Sequence, residues 1–388
     1  MMRIGQYMEG LSDPGGIATY IYRLSQAQLA AGHRVYLFDT RPINLKLVPE
    51  DCRLVVCDDD DLYRQVALSK LDILHVHTSI SKLPPQGLPV VRTVHDHNPY
   101  CPSGSRYLQN WHQPCDRAYG LGSCLWGHFV DHCGSIRPQG LQNEFQRCWQ
   151  EMETLKKLPA IANSEFVRQQ MIRSGYNPAL VEMLCLPAPE IQDYSPPPDT
   201  DIPHFVFVGR ITPQKGLNWL LKALTIVQEP IHLDIAGTGN PEQENLLISL
   251  VRQLKLEDKV TLHGWVDSVQ VMQLLRAARA LIFPSVWHEP AGFVSLEAAA
   301  IGRPIIASKL GGIPEYVDRL QNALLVETND IHGLAQSIEK LAKNWSIAQE
   351  MGLKGQQMVK EYYLMEDHLQ NLMKLYDLAI REQSEIFL

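Results

Sequence analysis

Short apolar runs alternate with amphipathic stretches along nearly the whole chain, and the alternation stops and restarts once. Before residue 195, candidate strands fall at 2–7, 34–39, 53–57, 71–77, 90–95, 160–163 and 182–186. Runs such as Arg34-Val35-Tyr36-Leu37-Phe38 are apolar almost throughout. That pattern suits strands of a parallel sheet covered on both faces. Residues 16–31 read as a helix, with Ile17, Tyr20, Ile21, Leu24 and Leu29 mostly on one face and Gly32 as its cap. Ser195-Pro196-Pro197-Pro198-Asp199 cannot continue a helix and reads as a semi-rigid linker. Beyond it, strands are expected at 204–209, 231–236, 260–264, 280–284, 304–307 and 323–327. Helices at 216–227, 241–253, 268–277 and 292–301 fall between them, and further helices run to the chain end. The expected class is α/β with two parallel sheets. A chain of 388 residues that is 45% apolar can build both cores.

The net charge of −8 argues against a broad basic face for nucleic acid. It leaves room for a small anion, which needs only a few placed cations. The eight cysteines do not read as a disulfide scaffold in a chain with this much core. Met1-Met2-Arg3-Ile4-Gly5-Gln6-Tyr7 reads as a buried strand rather than a secretory leader, and no apolar run approaches the ~20 residues of a membrane span. The expected compartment is the cytoplasm, with contact at the inner membrane face left open. The Asp58–Asp61 run reads as a solvated loop. Residues 98–135 have little periodicity and are too long for an ordinary connection, which points to function or local disorder.

Ligands of open α/β sheets bind beyond the carboxyl ends of the strands. Gly209-Arg210-Ile211-Thr212-Pro213-Gln214-Lys215-Gly216 stands at such an end. Its two cations precede a helix, an arrangement that suits a diphosphate. On this segment alone, a diphosphate site and a solvated turn stand equal. Gly237 closes the next strand in Ala236-Gly237-Thr238-Gly239, and the G-x-G-x-x-G fingerprint of nicotinamide enzymes is absent there. Gly264 and Trp265 end the third strand, where they would offer edges to a base or simply bury an aromatic ring. In the stretch Phe283–Pro304, Glu289 sits in a loop, and Ala291, Gly292, Phe293 and Val294 open an alanine-rich helix. Their free amides suit an anion or sugar hydroxyls. Glu297 interrupts that apolar helix and reads as a buried acid with a ligand. Gly311-Gly312-Ile313-Pro314-Glu315 opens another short helix.

These motifs, in order and in context, resemble the retaining glycosyltransferases of family 4, across essentially the whole chain. The match includes the Gly15-Gly16 loop, His95-Asp96, the Gly209–Gly216 turn and the Glu289-x7-Glu297 pair. The resemblance implies a GT-B fold of two facing Rossmann-like domains. One spans 1–195 and binds acceptor; the other spans 196–363 and binds donor, with 364–388 packing back on the first. It implies that Arg210 and Lys215 bind the diphosphate of a nucleotide sugar and that Glu297 binds the ribose hydroxyls. Glu289 and the Ala291–Phe293 backbone would hold the hexose, with Gly16 near the phosphates. It further implies that no divalent metal or other cofactor is needed and that UDP-glucose is the favoured donor. The acceptor would be a saccharide or lipid-linked oligosaccharide in polysaccharide or glycoconjugate synthesis.

In the first half, His95 ends a buried strand and becomes catalytic or sugar-contacting only by the resemblance; otherwise it reads as a satisfied strand-end histidine. Gly15, Asp96, His97 and Tyr100 are expected on the acceptor side. His75 reads as structural, and His77 as the better candidate for a cleft. The segment from His95 to Pro102 resembles a subset of the family with a cysteine-bearing insertion. Cys101, Cys115, Cys124 and Cys133 lack the close C-x2-C pair usual at zinc sites, so reduced thiols in an acceptor-side lid are expected and no metal site. Tyr100, Tyr107, Trp111, Trp126 and Phe129 there suit a sugar, a lipid, or plain packing. Two other functions stay open: a nucleotide-sugar 2-epimerase of the same fold, and a sugar-nucleotide-binding protein without turnover.

Overall fold

The computed structural model describes residues 1–12, 15–42, 48–58, 61–80 and 82–385. It divides into two compact units. In chain order, the strands begin with β1 (Arg3–Tyr7), β2 (Arg34–Asp39), β3 (Arg53–Val56), β4 (Ile73–Val76) and β5 (Val90–Val94). A two-stranded hairpin follows, β6 (Tyr107–Leu108) and β7 (Gln113–Pro114), and then β8 (Ala160–Ala162) and β9 (Val181–Met183). The first unit holds a seven-stranded sheet in the order β3-β2-β1-β4-β5-β8-β9. Its pairings are parallel throughout. Its helices are α1 (Gly16–Ala30), α2 (Leu62–Ser69), α3 (Leu121–Phe129), α4 (Pro138–Leu155) and α5 (Glu165–Arg173).

The second unit carries β10 (His204–Val208), β11 (His232–Ala236), β12 (Val260–Gly264), β13 (Ala280–Phe283), β14 (Ile305–Ser308) and β15 (Ala323–Val326). They form a parallel sheet in the order β12-β11-β10-β13-β14-β15. Counted within the unit this is the order 3-2-1-4-5-6 of a doubly wound sheet. Its helices are α6 (Leu217–Leu224), α7 (Pro241–Gln253), α8 (Ser268–Ala277), α9 (Phe293–Ala300), α10 (Ile313–Leu320), α11 (Ile331–Lys343) and α12 (Trp345–Tyr362). The fold class is the α/β one expected, with a Rossmann-like sheet in each unit. Local chemistry sets the ends of these elements. Asn240 with Gln243, and Asp267 with Gln270, form capping boxes at the starts of α7 and α8, and Pro241 fits the first turn of α7.

The units divide at 186/187 rather than at the prolines. Residues 187–195 pack with the second unit before Pro196 is reached. Ala188 N–H donates to Tyr363 O, Gln356 Nε2 donates to Gln192 O, and Tyr194 Oη donates to Gln349 O. The last helix, α13 (Met365–Glu385), belongs to the first unit and packs on α1, as expected of the chain end.

The stretch 98–135 is ordered, and it is divided between the units. Residues Tyr107–Cys115 belong to the second unit. Tyr107 is 1% exposed within that unit's core beside Leu217, Leu220 and Leu247. Its hydroxyl lies 3.2 Å from His112 Nδ1. The ring burial explains why the hairpin leaves its flanks: an exposed tyrosine forgoes ~2 kcal/mol of transfer energy. The eight cysteines are thiols, not joined in disulfides. No helix among the described residues is long and apolar enough to cross a membrane. Tyr107→Ala is expected to destabilise the second unit by about 3 kcal/mol, read from urea unfolding. Trp111, 59% exposed on the same hairpin, should tolerate alanine within about 0.5 kcal/mol.

Candidate active site

In the second unit the nominated residues gather at the carboxyl edge of the sheet. Backbone bonds stitch the loops together: Gly209 N–H donates to Ala236 O, Gly237 N–H to Gly264 O, and Ile211 N–H to Thr238 O. Two approaches are too close for any side chain. A Cβ on Gly237 (φ +139°) would lie 1.8 Å from Gly209 O, and one on Gly216 (φ +73°) 1.7 Å from Pro284 O. Gly216 therefore lets the loop after β10 lie against the loop after β13. That contact brings Lys215 to Glu289, 74 positions apart. Lys215 Nζ donates to Glu289 Oε1 at 2.5 Å, and Ser285 Oγ donates to the same oxygen at 2.6 Å. Lys215 Nζ also lies 5.6 Å from the Trp287 ring centroid and 5.8 Å from that of Phe283. Gly312 N–H donates to Glu289 O and fixes the loop from its other side.

Glu289 is thus a 5% exposed, partnered carboxylate rather than a surface acid. Arg210 is exposed. Ala291, Phe293 and Val294 are half-buried and Gly292 is buried. No side chain caps α9, whose N-cap is Gly292, so its first-turn amides stay available. Glu297 is half-buried, not the buried acid expected, because it lies on a turn of α9 that the core does not fully cover. Trp265 is 60% exposed, which rules out the buried-aromatic reading. Sequence reading passed over Ser285 and Ser295. Ser295 Oγ, in the first turn of α9, is buried with no partner among the described residues. A lone serine carries no sequence signal for either position.

In the first unit, His95 follows β5 and His77 follows β4. His95 Nε2 lies 3.0 Å from His77 Nδ1, and His77 Nε2 lies 2.7 Å from Gln6 Oε1. His75 Nδ1 lies 2.6 Å from Tyr376 Oη, and its Nε2 lies 2.7 Å from Thr93 Oγ1. Tyr20 bonds His368 Nε2 at 2.9 Å and meets His95 edge-on at 5.6 Å. Burial pushes the His95 imidazole down to about 3, reinforced by the Arg92 guanidinium, which itself pairs with Glu151. Burial likewise depresses His75 and His77 well below the usual range, and His368 to about 4. Burial raises Asp96, whose oxygens accept from Asn98 N–H and Nδ2. His97 and Tyr100, expected on the acceptor side, are instead core. They are 0% and 1% exposed, and His97 Nδ1 lies 2.6 Å from Tyr100 Oη. The reason is that α4 and α5 supply their cover: Tyr100 shares a core cluster with Cys148, Met152 and Tyr176, the His97 ring lies 6.4 Å from that of Phe166, and Tyr176 Oη donates to Pro99 O. Gly15 and Gly16 are exposed at the start of α1, which no side chain caps. Asp39 holds the loop before them by accepting from the Gly10 and Leu11 amides. Residues 13–14, also expected near an acceptor, lie outside the described residues, as do 59–60 of the Asp58–Asp61 run.

Two family models divide the chain between them. The Glycosyltransferase Family 4 model matches residues 14–185, and the model for glycosyl transferases group 1 matches residues 190–358. The chain belongs to the family 4 glycosyltransferases. It is 27% identical over 175 residues to an uncharacterized glycosyltransferase of Methanocaldococcus jannaschii, covering 45% of each chain. It spans less than half the length of the curated relatives it matches. Its fold is similar to that of sucrose-phosphate synthase from Thermosynechococcus elongatus, with TM-score 0.75 and 20% identity over 98% of this chain and 100% of that one. It is also similar to Anabaena HepE in complex with UDP-glucose, with TM-score 0.72 and 16% identity over 96% of this chain and 99% of that one.

The depressed imidazoles fix the sign of a pH effect. An unfolded histidine titrates near 6.5. Below that pH the unfolded chain takes up protons that folded His75, His77, His95 and His368 refuse. Stability should be full above about 6.5 and fall as pH drops toward 4. A series of urea midpoints from pH 8 to 4.5 reads this directly, and a flat series would contradict the neutral cluster.

Proposed function

We propose that the chain transfers a hexose from a nucleoside-diphosphate sugar to an acceptor hydroxyl, with retention at the anomeric carbon. The observation that supports it best is the Lys215–Glu289–Ser285 cluster beside the uncapped start of α9. Lys215 has three donors and spends one on Glu289, leaving two for phosphate oxygens. Arg210, exposed at the same edge, adds a fork that suits a diphosphate. Negative charge grows on the leaving diphosphate as the sugar bond breaks. Fixed cations and free amides that stabilise it there lower the barrier without moving. Glu289 would hold hexose hydroxyls with its second oxygen, with the Ala291–Val294 amides beside it. Glu297 would take the ribose hydroxyls, and Gly209, Gly237, Gly264 and Trp265 would line the nucleotide.

His95 stays neutral at working pH, so on this reading it hydrogen-bonds a sugar hydroxyl rather than delivering a proton. No carboxylate nucleophile is nominated, which favours attack from the face the diphosphate leaves. Gly15, Gly16 and Asp96 stand on the acceptor side. UDP-glucose is the proposed donor, in keeping with the complex formed by HepE. The proposed acceptor is a saccharide or lipid-linked oligosaccharide. The reaction would run in the cytoplasm, at the inner membrane face where the acceptor carries a lipid.

Arg210 and Lys215 carry the charge that a divalent cation would otherwise supply, so transfer should survive chelation by EDTA. Nucleotide release from a panel of UDP-, GDP- and ADP-sugars, with candidate saccharide acceptors, tests the reading. Turnover is expected with UDP-glucose. Lys215→Ala and Arg210→Ala should each lower kcat by about 10²–10³. Silence with every donor, together with unchanged donor binding in Glu289→Ala, would overturn the proposal. Donor conversion without acceptor, seen by NMR of the product, would indicate an epimerase instead.

A further inference from the structure

One cluster in the second unit takes no part in the transfer chemistry. β10 opens with His204, β11 with His232 followed two positions later by Asp234, and β12 carries Thr261 and His263. The register pairs His204 with His232 and Asp234 with Thr261. Side chains alternate along a strand, so His204, His232, Asp234, Thr261 and His263 share one face of the sheet. The other face holds Phe205, Phe207, Leu233, Ile235 and Val260, in one core with the leucines of α6 and α7. α8 also packs against β10. His204 is exposed and His232 half-buried. His204 and His232 are also the first residues of their strands, at the opposite end from the Lys215–Glu289 loops.

Asp234 is the centre of the cluster. His204 Nδ1 lies 2.7 Å from its Oδ2, and His263 Nε2 lies 2.7 Å from its Oδ1. The His204 and His232 rings lie 4.8 Å apart, centroid to centroid. His232 Nε2 lies 2.8 Å from Thr261 Oγ1, which leaves its Nδ1 for another partner. One ligand atom from each of His204, His232 and Asp234 falls within 4.8 Å of the others. Asp234 is buried, while the His204 ring that bonds it is exposed and open to solvent.

We infer that His204, His232 and Asp234 bind a divalent transition metal of the zinc class. Two imidazole nitrogens and one carboxylate oxygen make the mixed ligand set that zinc accepts, with bonds of about 2.0–2.2 Å and a fourth position for water. A tetrahedron of such bonds spaces its ligand atoms by about 3.4 Å, so His204 Nδ1 and Asp234 Oδ2, 2.7 Å apart, must open slightly to admit the ion, and all three ligand atoms already lie within 4.8 Å of one another. His263 keeps its bond to Asp234 Oδ1 and orients the carboxylate, an outer-shell role common at metal sites. Magnesium and calcium demand oxygen ligands and are excluded by the imidazoles. The ion would tie β10 to β11, and through His263 would hold the edge strand β12. This inference stands apart from the transferase reading, because binding is measured without any sugar.

The test uses the full chain without an affinity tag, freed of metal. Zn²⁺ binding is followed by calorimetry, and Co²⁺ binding by its visible absorption. One ion per chain is expected. His232→Ala and Asp234→Asn should each weaken binding at least tenfold, while a Cys101→Ser, Cys124→Ser double variant binds as the parent does. His204→Ala, at an exposed position, gives a variant whose folding is not at stake and should show the same loss. Metal-free thermal midpoints identify any variant that has unfolded. Parent-like affinity in the His204 or His232 variant, loss of binding in the cysteine variant, or no binding by the parent chain would each overturn the assignment.

Discussion

Every strand of the two large sheets runs parallel to its neighbours, so all carboxyl-end loops of a sheet emerge along one edge. The rest of the structure depends on that constraint. In the second unit it collects loops from five strands at one place, although their residues are up to about a hundred positions apart. Loops crowded in this way must touch, and they touch through backbone. The Gly216–Pro284 and Gly237–Gly209 approaches leave no space for a Cβ. Lys215 meets Glu289 because the first of these approaches exists.

Eight of the helices show two kinds of N-terminus, while α2, α3, α4 and α12 start at Asp61, Gly120, Arg137 and Asn344 without a capping side chain and away from the nominated residues. Those of α5, α7, α8 and α11 are closed by Ser164, Asn240, Asp267 and Asp330, whose side chains accept first-turn amides. Those of α1, α6, α9 and α10 begin at Gly15, Gly216, Gly292 and Gly312, with no capping side chain. The second group holds the residues nominated for substrate. A cap satisfies an amide that a ligand would otherwise use. Omitting it leaves a first turn that is less stable alone and more useful to an anion.

Much of the fold was legible because burial writes a period into the sequence. The run Arg34–Asp39 is strand where it reads as strand, and α7 spans 241–253 as expected, since Asn240 and Pro241 mark its start. The site was legible where chemistry is unusual for its setting: cations after Gly209, and Glu289 in an apolar stretch. It was not legible where partners lie far apart in the chain. His97 and Tyr100 look available in sequence, yet each satisfies the other inside the core. Trp265 looks buriable and is exposed. The chain of imidazoles through His75, His77 and His95 draws its partners from Gln6, Thr93 and Tyr376, which no local pattern connects.

The sequence by itself determined the two α/β layers, the identity of the cations and acids at the second sheet's edge, and the family to which the chain belongs. All of these rest on local periodicity and on motifs whose residues are neighbours in the chain. Only the tertiary structure decided that the units divide at 186/187, and that Tyr107 leaves its own half of the chain for the other unit's core. It also decided that Lys215 pairs with Glu289 and that three histidines surround Asp234. Each of these outcomes is a contact between distant segments. Such contacts follow from sheet order and register, which the local pattern of apolar and polar residues leaves open.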